Sequence, residues 1–224
     1  MPQIKSFGCS FIYGSDLKDA ELVRVHTARA GGYHDTASKH TWPALLAQHL
    51  DCDYQCYARP GSGNLQILNA VLNQVNHAED TCFVIGWSWI DRFDYTDHND
   101  DWNTLLPGQD TANSQMYYRY LHSQYKDKLT TLTYILTAIT VLKQMRIPFV
   151  MTYMDDLLLE KEWHSTDATV QLQQQVLPYL TNFEGKTFLN WARDHKFPVG
   201  DQLHPLEAAH QAAFEYLQTQ QLFG

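Results

Sequence analysis

The segment Ile4-Lys5-Ser6-Phe7-Gly8-Cys9-Ser10 is the most informative of the sequence, because a short apolar segment runs directly into a Gly-x-Ser. We predict a β-strand over residues 4–9 that delivers Ser10 to the edge of a sheet. Segments of the same kind recur at residues 54–58, 82–87 and 148–153. Each is short, apolar and rich in β-branched or aromatic residues. The sequence therefore predicts four strands.

Helical patterns separate the predicted strands. Residues 41–50 open with Thr-Trp-Pro, residues 65–75 repeat apolar residues at spacings of three and four, and a longer pattern covers about 114–145. A last helix is expected directly after His204. Strands that alternate with helices imply an α/β fold, a three-layer α/β/α sandwich with a mainly parallel sheet. Ligands of such sheets gather at the carboxyl ends of the strands, where Ser10, Gly61 and Ser88 are expected.

Length and charge limit the classes of function. A chain of 224 residues suits one domain, with polar insertions near residues 16–40 and 92–113. Its 16 Lys and Arg against 25 Asp and Glu give a net charge of −9, the wrong sign for binding nucleic acid. No apolar run reaches the roughly 20 residues of a membrane span, and no N-terminal signal peptide is seen. We expect a cytoplasmic or otherwise soluble protein, and the sequence leaves its oligomeric state open.

The polar insertions show no pattern of a metal site. His26, His34 and His40 lack close ligand spacing, and residues 94–101 lack the glycine and the closing glutamate of a calcium loop. We expect residues 94–101 to form a solvated surface. The tryptophans Trp87, Trp89 and Trp102 either pack in the core or form an aromatic platform for a sugar or an acyl chain.

The segment Asp201-Gln202-Leu203-His204-Pro205 supplies the partners that Ser10 would need as a nucleophile. A serine hydroxyl is a weak nucleophile at neutral pH and requires a nearby base, here Nε2 of His204. With only two residues between them, Asp201 is expected to orient the imidazole of His204. Pro205 suits the first position of the following helix. These residues predict a serine hydrolase, in the first place an esterase, that uses no metal or cofactor.

The same residues, in the same order, resemble the sequence blocks of the SGNH (GDSL-type) hydrolases. Gly8-Cys9-Ser10 resembles the first block, residues 60–64 (Pro-Gly-Ser-Gly-Asn) the second, residues 86–88 (Gly-Trp-Ser) the third, and residues 201–204 the last. Two positions depart from the family pattern. Cys9 stands where the family usually has aspartate, and Ser88 stands where it usually has asparagine.

The resemblance implies an SGNH-hydrolase (flavodoxin-like) architecture and an oxyanion hole. Its expected donors are the backbone N–H groups of Ser10 and Gly61, together with a side chain of the third block. Ser88 offers a hydroxyl in place of the usual amide. Asn64 either supplies the missing amide or caps the helix that follows it.

The resemblance also implies an ester substrate, since the family acts on lipids, thioesters, acetylated sugars and other small esters, and within this range we expect a small-molecule or carbohydrate ester. The acidic composition favours an uncharged ester over an anionic lipid. Two alternatives stay open. One is an acyltransferase that uses the same Ser-His-Asp triad, and the other is a non-catalytic or degenerate binding module, suggested by the missing asparagine.

Overall fold

Four parallel strands form the central sheet of the computed structural model, which describes residues 2–20 and 36–220. They are β1 (Gln3–Phe7), β2 (Asp53–Cys56), β3 (Thr81–Trp87) and β6 (Phe149–Tyr153), in the order β2-β1-β3-β6. Ile4 in β1 pairs with Tyr54 on one side and with Cys82 on the other. The four predicted strands are confirmed, with ends within one or two residues of the predicted ones.

Helices cover both faces of this sheet. One face carries α2 (Trp42–His49), α7 (Phe188–Asp194) and α8 (Glu207–Thr219), and the other carries α3 (Asn64–Gln74), α5 (Gln124–Met145) and α6 (Asp167–Val176). Successive side chains of β3 alternate between the two cores: Val84 packs in the first, Phe83 and Ile85 in the second. The three-layer α/β/α sandwich is therefore confirmed, whereas its organisation as a single domain stays a prediction.

The long helix predicted over about 114–145 is wrong, because the structure has two helices there. They are α4 (Ala112–Tyr120) and α5, separated by residues 121–123. The hydroxyl of Ser123 accepts a hydrogen bond from the backbone N–H of Lys126 and so caps a new helix. The apolar periodicity continues across this break, which is why the pattern alone does not show it.

The insertion near residues 92–113 contains a β-hairpin. Strands β4 (Phe93–Thr96) and β5 (Trp102–Leu105) pair in antiparallel fashion outside the main sheet. The prediction of a solvated surface over residues 94–101 is wrong for Asp94, which is buried. The insertion near residues 16–40 is only partly described, and His26 and His34 lie outside the described residues.

Within residues 2–20 and 36–220, the remaining elements are a short helix, α1 (Ser10–Tyr13), and three 3₁₀ turns at Val75–His77, Asp156–Leu158 and Leu177–Tyr179. In the part of the chain that the structure describes, no helix is both long and apolar enough to cross a bilayer.

Candidate active site

Ser10 lies at the carboxyl end of β1, where the chain turns directly into α1. Its side chain is almost fully buried. Because Ser10 is the first residue of a helix, its backbone N–H has no partner within that helix. Among the described residues, no acceptor is bonded to this N–H either. A hydroxyl and an unused backbone donor therefore occur on the same residue.

His204 reaches Ser10 from the other end of the chain. Its Nε2 lies 2.7 Å from Oγ of Ser10, a distance at which one atom donates a hydrogen bond to the other. His204 comes shortly before α8, which packs against α2 on one face of the sheet. The predicted meeting of Ser10 and His204 is thus present in the structure.

The carboxylate beside His204 is that of Asp16, and the prediction that Asp201 would hold this imidazole is wrong in its geometry. Oδ2 of Asp16 lies 3.0 Å from Nδ1 of His204, and both side chains are about nine-tenths buried. Oδ2 approaches away from the direction of the Nδ1–H bond, so the contact has ion-pair geometry and is not a well-aligned hydrogen bond. Asp201 is exposed to solvent.

The backbone between Gly200 and His204 explains why Asp201 points elsewhere. The N–H of Gly200 donates to the carbonyl of His204 (2.8 Å), and Leu203 adopts a left-handed φ of 65°. Because of this tight turn, the side chains of Asp201 and His204 point in different directions. The N–H of Gln202 donates to Oδ2 of Asp16 (3.1 Å). The loop therefore holds the carboxylate of Asp16 with its own backbone.

Gly200 provides the space for this carboxylate. A Cβ atom at position 200 would lie 2.4 Å from Oδ2 of Asp16, closer than two such atoms can approach. Asp16 was missed at the level of sequence because it belongs to none of the blocks. The available signal was its position, six residues after Ser10 and just beyond the end of α1 at Gly14.

Aromatic rings extend from His204 towards the second block. The ring of Phe11 packs edge-on against His204 (centroids 4.8 Å apart), and Trp89 packs against Phe11 at 5.3 Å. The guanidinium of Arg92 lies 4.7 Å above the centre of the Trp89 ring, and its Nη1 donates to the carbonyl of Ser62 (2.9 Å). A continuous series of contacts thus joins His204 to the loop that contains Gly61.

Gly61 occupies a tight turn formed by residues 59–62. The N–H of Ser62 donates to the carbonyl of Arg59 (3.1 Å), Pro60 comes second, and Gly61 comes third with a φ of 84°. This is a type II turn, which requires a residue that tolerates positive φ at its third position. The N–H of Arg59 also donates to the carbonyl of Gly8 (3.0 Å), which ties the turn to the chain just before Ser10.

Two features make the backbone of Gly61 accessible to a ligand. A Cβ atom added to it would meet no other atom within 4 Å, so this side of the turn faces open space. In residues 2–20 and 36–220, no acceptor is bonded to its N–H. Gly61 therefore retains an unused donor, as Ser10 does.

Asn64 is not available as an oxyanion donor, so this alternative of the prediction is wrong. Its Nδ2 lies 3.2 Å from the carbonyl of Ser88, 3.3 Å from that of Trp89 and 3.3 Å from Oγ1 of Thr131. Its Oδ1 accepts from the N–H of Ser88 (2.7 Å). The buried amide ties the start of α3 to the chain after β3. It does not cap α3 either, since the N-cap residue is Gly63.

In the described part of the chain, Ser88, unlike Asn64, has a side chain that is free to bond a ligand. Its hydroxyl is buried and has no hydrogen-bond partner among the described residues. A buried hydroxyl without a partner costs free energy, and such groups in native proteins generally have a reason to be there. In the third block, Ser88 thus has an unused donor, whereas Asn64 has none.

Asp94 connects the hairpin to the second block. Its carboxylate accepts hydrogen bonds from the N–H groups of Gly63 and Gln66 (both 2.9 Å), from the side-chain amide of Gln66 (3.2 Å) and from the hydroxyl of Thr104 (2.6 Å). Burial raises the pKa of Asp94 above its ordinary value, and these hydrogen bonds oppose the rise. The hairpin thereby fixes the first turn of α3.

His210, in the first turn of α8, packs within the core behind His204. Its Nδ1 accepts a hydrogen bond from the backbone N–H of Trp42 (3.2 Å), at the start of α2. Burial, and secondarily the nearby imidazole of His204, lowers the pKa of His210 to about 3. A neutral His210 therefore joins the two helices on this face of the sheet.

Known proteins resemble this chain in structure but not detectably in sequence. Comparisons with protein-family models and with curated proteins find no match. Among solved structures, the psychrotrophic esterase EstA from Pseudoalteromonas sp. matches with a TM-score of 0.55 and 13% identity, over 98% of this chain and 96% of the other. A lipolytic G-D-S-L family member from Veillonella parvula matches with a TM-score of 0.52 and 12% identity, over 100% and 98%.

An acetyl xylan esterase, Est2A from Butyrivibrio proteoclasticus, matches with a TM-score of 0.52 and 11% identity, over 100% of this chain and 65% of the other. At such identities, the likeness establishes a shared fold. The chain has the α/β/α fold of the GDSL- and SGNH-type esterases, and the predicted resemblance is confirmed at this level.

Proposed function

We propose that the protein is a serine esterase in which Ser10 is the nucleophile, His204 the general base and Asp16 the residue that orients His204. One observation carries this proposal. The imidazole of His204 lies between a hydroxyl at 2.7 Å and a carboxylate at 3.0 Å, on opposite ring nitrogens. This is the arrangement that activates a serine hydroxyl.

The reaction proceeds in two halves. Oγ of Ser10 attacks the ester carbonyl carbon while its proton moves to Nε2 of His204, and the resulting imidazolium is stabilised by the carboxylate of Asp16. The imidazolium then gives this proton to the departing alkoxide, the carbon–oxygen bond breaks, and an acyl-Ser10 remains. In the second half, His204 takes a proton from water, the hydroxide attacks the acyl carbon, and Ser10 recovers its proton as the acid leaves.

Three donors support the negative oxygen that forms in each half. These are the backbone N–H groups of Ser10 and Gly61 and the hydroxyl of Ser88. Each lacks an acceptor among the described residues, so each can bond an oxyanion without breaking an existing bond. Ser88 takes the position at which the family usually has asparagine.

Fluorophosphonate labelling tests this proposal. We expect the wild-type protein to gain one covalent adduct on Ser10, located by mass spectrometry, and to hydrolyse a short-chain p-nitrophenyl ester. Ser10→Ala should lose the adduct and almost all turnover while its unfolding midpoint stays the same. Ser165→Ala, which removes an exposed serine, serves as the control and should behave like the wild type.

The same assay separates the alternatives. Undiminished labelling and hydrolysis in Ser10→Ala would refute the assignment. Sugar binding without labelling would support a non-catalytic module. Competition by an added acceptor alcohol, with formation of a new ester, would identify an acyltransferase that uses the same side chains.

A further inference from the structure

A cavity of about 210 Å³ lies between the turn at residues 59–62 and the β4–β5 hairpin. We call it the hairpin pocket. Its walls include residues of the turn, of α3, of β5 and of the loop after β5: Arg59, Gly61, Gln66, Trp102, Asn103 and Gln109. Drug-sized ligands fill roughly 300–1,000 Å³. The hairpin pocket is smaller and suits a ligand the size of a single ring.

The hairpin pocket adjoins the candidate active site through the turn that they share. Gly61 lines the pocket and also carries one of the proposed oxyanion donors. The N–H of Arg59, on the same wall, donates to the carbonyl of Gly8, two residues before Ser10. Ser62, also on this wall, is joined to His204 through Arg92, Trp89 and Phe11. The pocket and the candidate active site are thus joined by the turn at residues 59–62.

The side chains of the hairpin pocket are mostly amides and hydroxyls. Nδ2 of Asn103 donates to the carbonyl of Asp101 (3.0 Å), and Oε1 of Gln109 accepts from the N–H of Leu106 (3.4 Å). Within the described residues, these bonds leave Oδ1 of Asn103 as an acceptor and Nε2 of Gln109 as a donor for a ligand. A hydroxylated ligand can pair with both groups, whereas an apolar acyl chain offers neither a donor nor an acceptor.

Two further properties favour an uncharged ring. Trp102 contributes a large aromatic surface, which packs well against the C–H face of a saturated ring. Among the described residues that line the pocket, Arg59 is the only cation, and the nearby carboxylates of Asp94 and Asp101 partly offset its positive charge. An anionic ligand would therefore gain less from this guanidinium than from an isolated cation.

We propose that the hairpin pocket binds the alcohol part of the ester and that this part is an uncharged polyhydroxylated ring, such as a sugar. The inference rests on the proposed function. It adds that the ring stacks on Trp102 and exchanges hydrogen bonds with Asn103 and Gln109, while the acyl group stays on the Ser10 side of the turn.

Substrate selectivity tests the hairpin pocket. A mono-acetylated methyl glucoside is compared with ethyl acetate, whose alcohol part is too small to reach Trp102. We expect Trp102→Ala to lower the ratio of kcat/KM for the sugar ester to that for ethyl acetate by about 3-fold to 10-fold, the usual value of one aromatic contact. Trp102→Phe should restore part of the ratio. Gln109→Ala should lower it independently, because it removes a donor on another wall.

Tyr120→Ala is the matched control, since Tyr120 is an exposed aromatic residue of α4 outside the pocket. In this variant, the ratio of kcat/KM for the sugar ester to that for ethyl acetate should equal the ratio of the wild type. An unchanged ratio in Trp102→Ala, with an unfolding midpoint equal to that of the wild type, would refute the proposed role of the hairpin pocket. The proposed esterase activity would not be affected by that result.

Binding distinguishes a failure of the pocket from a failure of the chemistry. In the Ser10→Ala background, methyl glucoside binding is measured by NMR titration with and without Trp102→Ala. Binding that weakens with Trp102→Ala supports the pocket even if the wild type cleaves neither ester. Absence of binding, with no preference of the wild type for the sugar ester, refutes the pocket whatever the rate on ethyl acetate.

Discussion

The two sides of the candidate site are built in different ways. On the nucleophile side (Ser10, His204 and Asp16), functional side chains contact one another directly at 2.7 and 3.0 Å. On the donor side (Ser10 N–H, Gly61 and Ser88), the groups have no acceptors among the described residues and are held from behind by other residues. Asn64 and Asp94 supply that support.

This difference predicts which mutations should affect the rate of hydrolysis and which should also affect the stability of the fold. A nucleophile side made of direct contacts should respond in rate when any member changes. On the donor side, substitution of a donor should lower the rate of hydrolysis. Substitution of a residue that holds the donors in place should lower both the rate and the stability of the fold. The following variants separate these outcomes.

The largest effect is expected from Asp16→Asn. An asparagine keeps the shape but removes the charge that stabilises the imidazolium, so kcat/KM should fall by about 10³–10⁴. Asp201→Asn is the matched control and should change the rate by less than about 3-fold, since its carboxylate is exposed. Steady-state kinetics on a p-nitrophenyl ester measure both. Equal losses in the two variants would refute the role of Asp16.

Ser88→Ala should come next. Loss of one oxyanion donor costs about 10²–10³ in kcat, whereas removal of an unpaired buried hydroxyl should leave the free energy of unfolding almost unchanged. Asn64→Ala provides the contrast, because it leaves the buried N–H of Ser88 without its acceptor. It should destabilise the fold by about 1–3 kcal/mol. Urea denaturation measured beside kcat distinguishes the two. A Ser88→Ala enzyme of full activity would remove Ser88 from the donor side.

Asp94→Asn tests the scaffold of the second block. An amide group offers one acceptor oxygen where two are in use, so the turn at residues 59–62 should shift relative to Ser10. A displacement of about 1 Å can cost about 100-fold in rate, and we expect a loss of about 10-fold to 100-fold, in kcat more than in KM. Asp100→Asn, an exposed change in the same hairpin, is the control and should have no effect. Identical rates in both variants would show that the hairpin does not position the donors.

The last prediction concerns the stability of the fold and not the rate, namely the pH dependence that the support behind His204 contributes. The pKa of His210 in the folded protein is about 3, below the value of about 6.5 expected in the unfolded chain. The unfolded chain therefore binds the extra proton between these values. The stability from this group is fully present above about pH 6.5 and is lost as the pH falls towards 3, by at most about 1.4 kcal/mol per pH unit.

Denaturation curves at several pH values between 4 and 7 measure this slope. His210→Gln should flatten it, because a glutamine oxygen can still accept from Trp42 and does not titrate. His98→Gln, in the exposed hairpin, should leave the slope unchanged. A wild-type slope that persists in His210→Gln would assign the pH dependence to other groups.

Local patterns predicted the sheet well and the insertions poorly. The strands β1, β3 and β6 bury nearly all of their residues, and such burial leaves a signal in the sequence itself, whereas the edge strand β2 is more exposed. The hairpin formed by β4 and β5 carries no such signal. An aspartate is expected to be exposed to solvent, whereas Asp94 of this hairpin is buried. Only the donors that converge on Asp94 from α3 and β5 make its burial possible.

The sequence alone predicted the four strands of the central sheet, and it predicted that Ser10 and His204 would meet at one edge of that sheet. The strands follow from apolar segments, because this signal is local and each strand must bury its own side chains, whereas the meeting of Ser10 and His204 follows from the base that a serine nucleophile requires. Only the tertiary structure decided that Asp16 and not Asp201 stands beside His204, and that Asn64 is a structural tie while Ser88 keeps an unused hydroxyl. Such choices depend on the direction of side chains brought together from distant parts of the chain, and spacing along the sequence does not encode that direction.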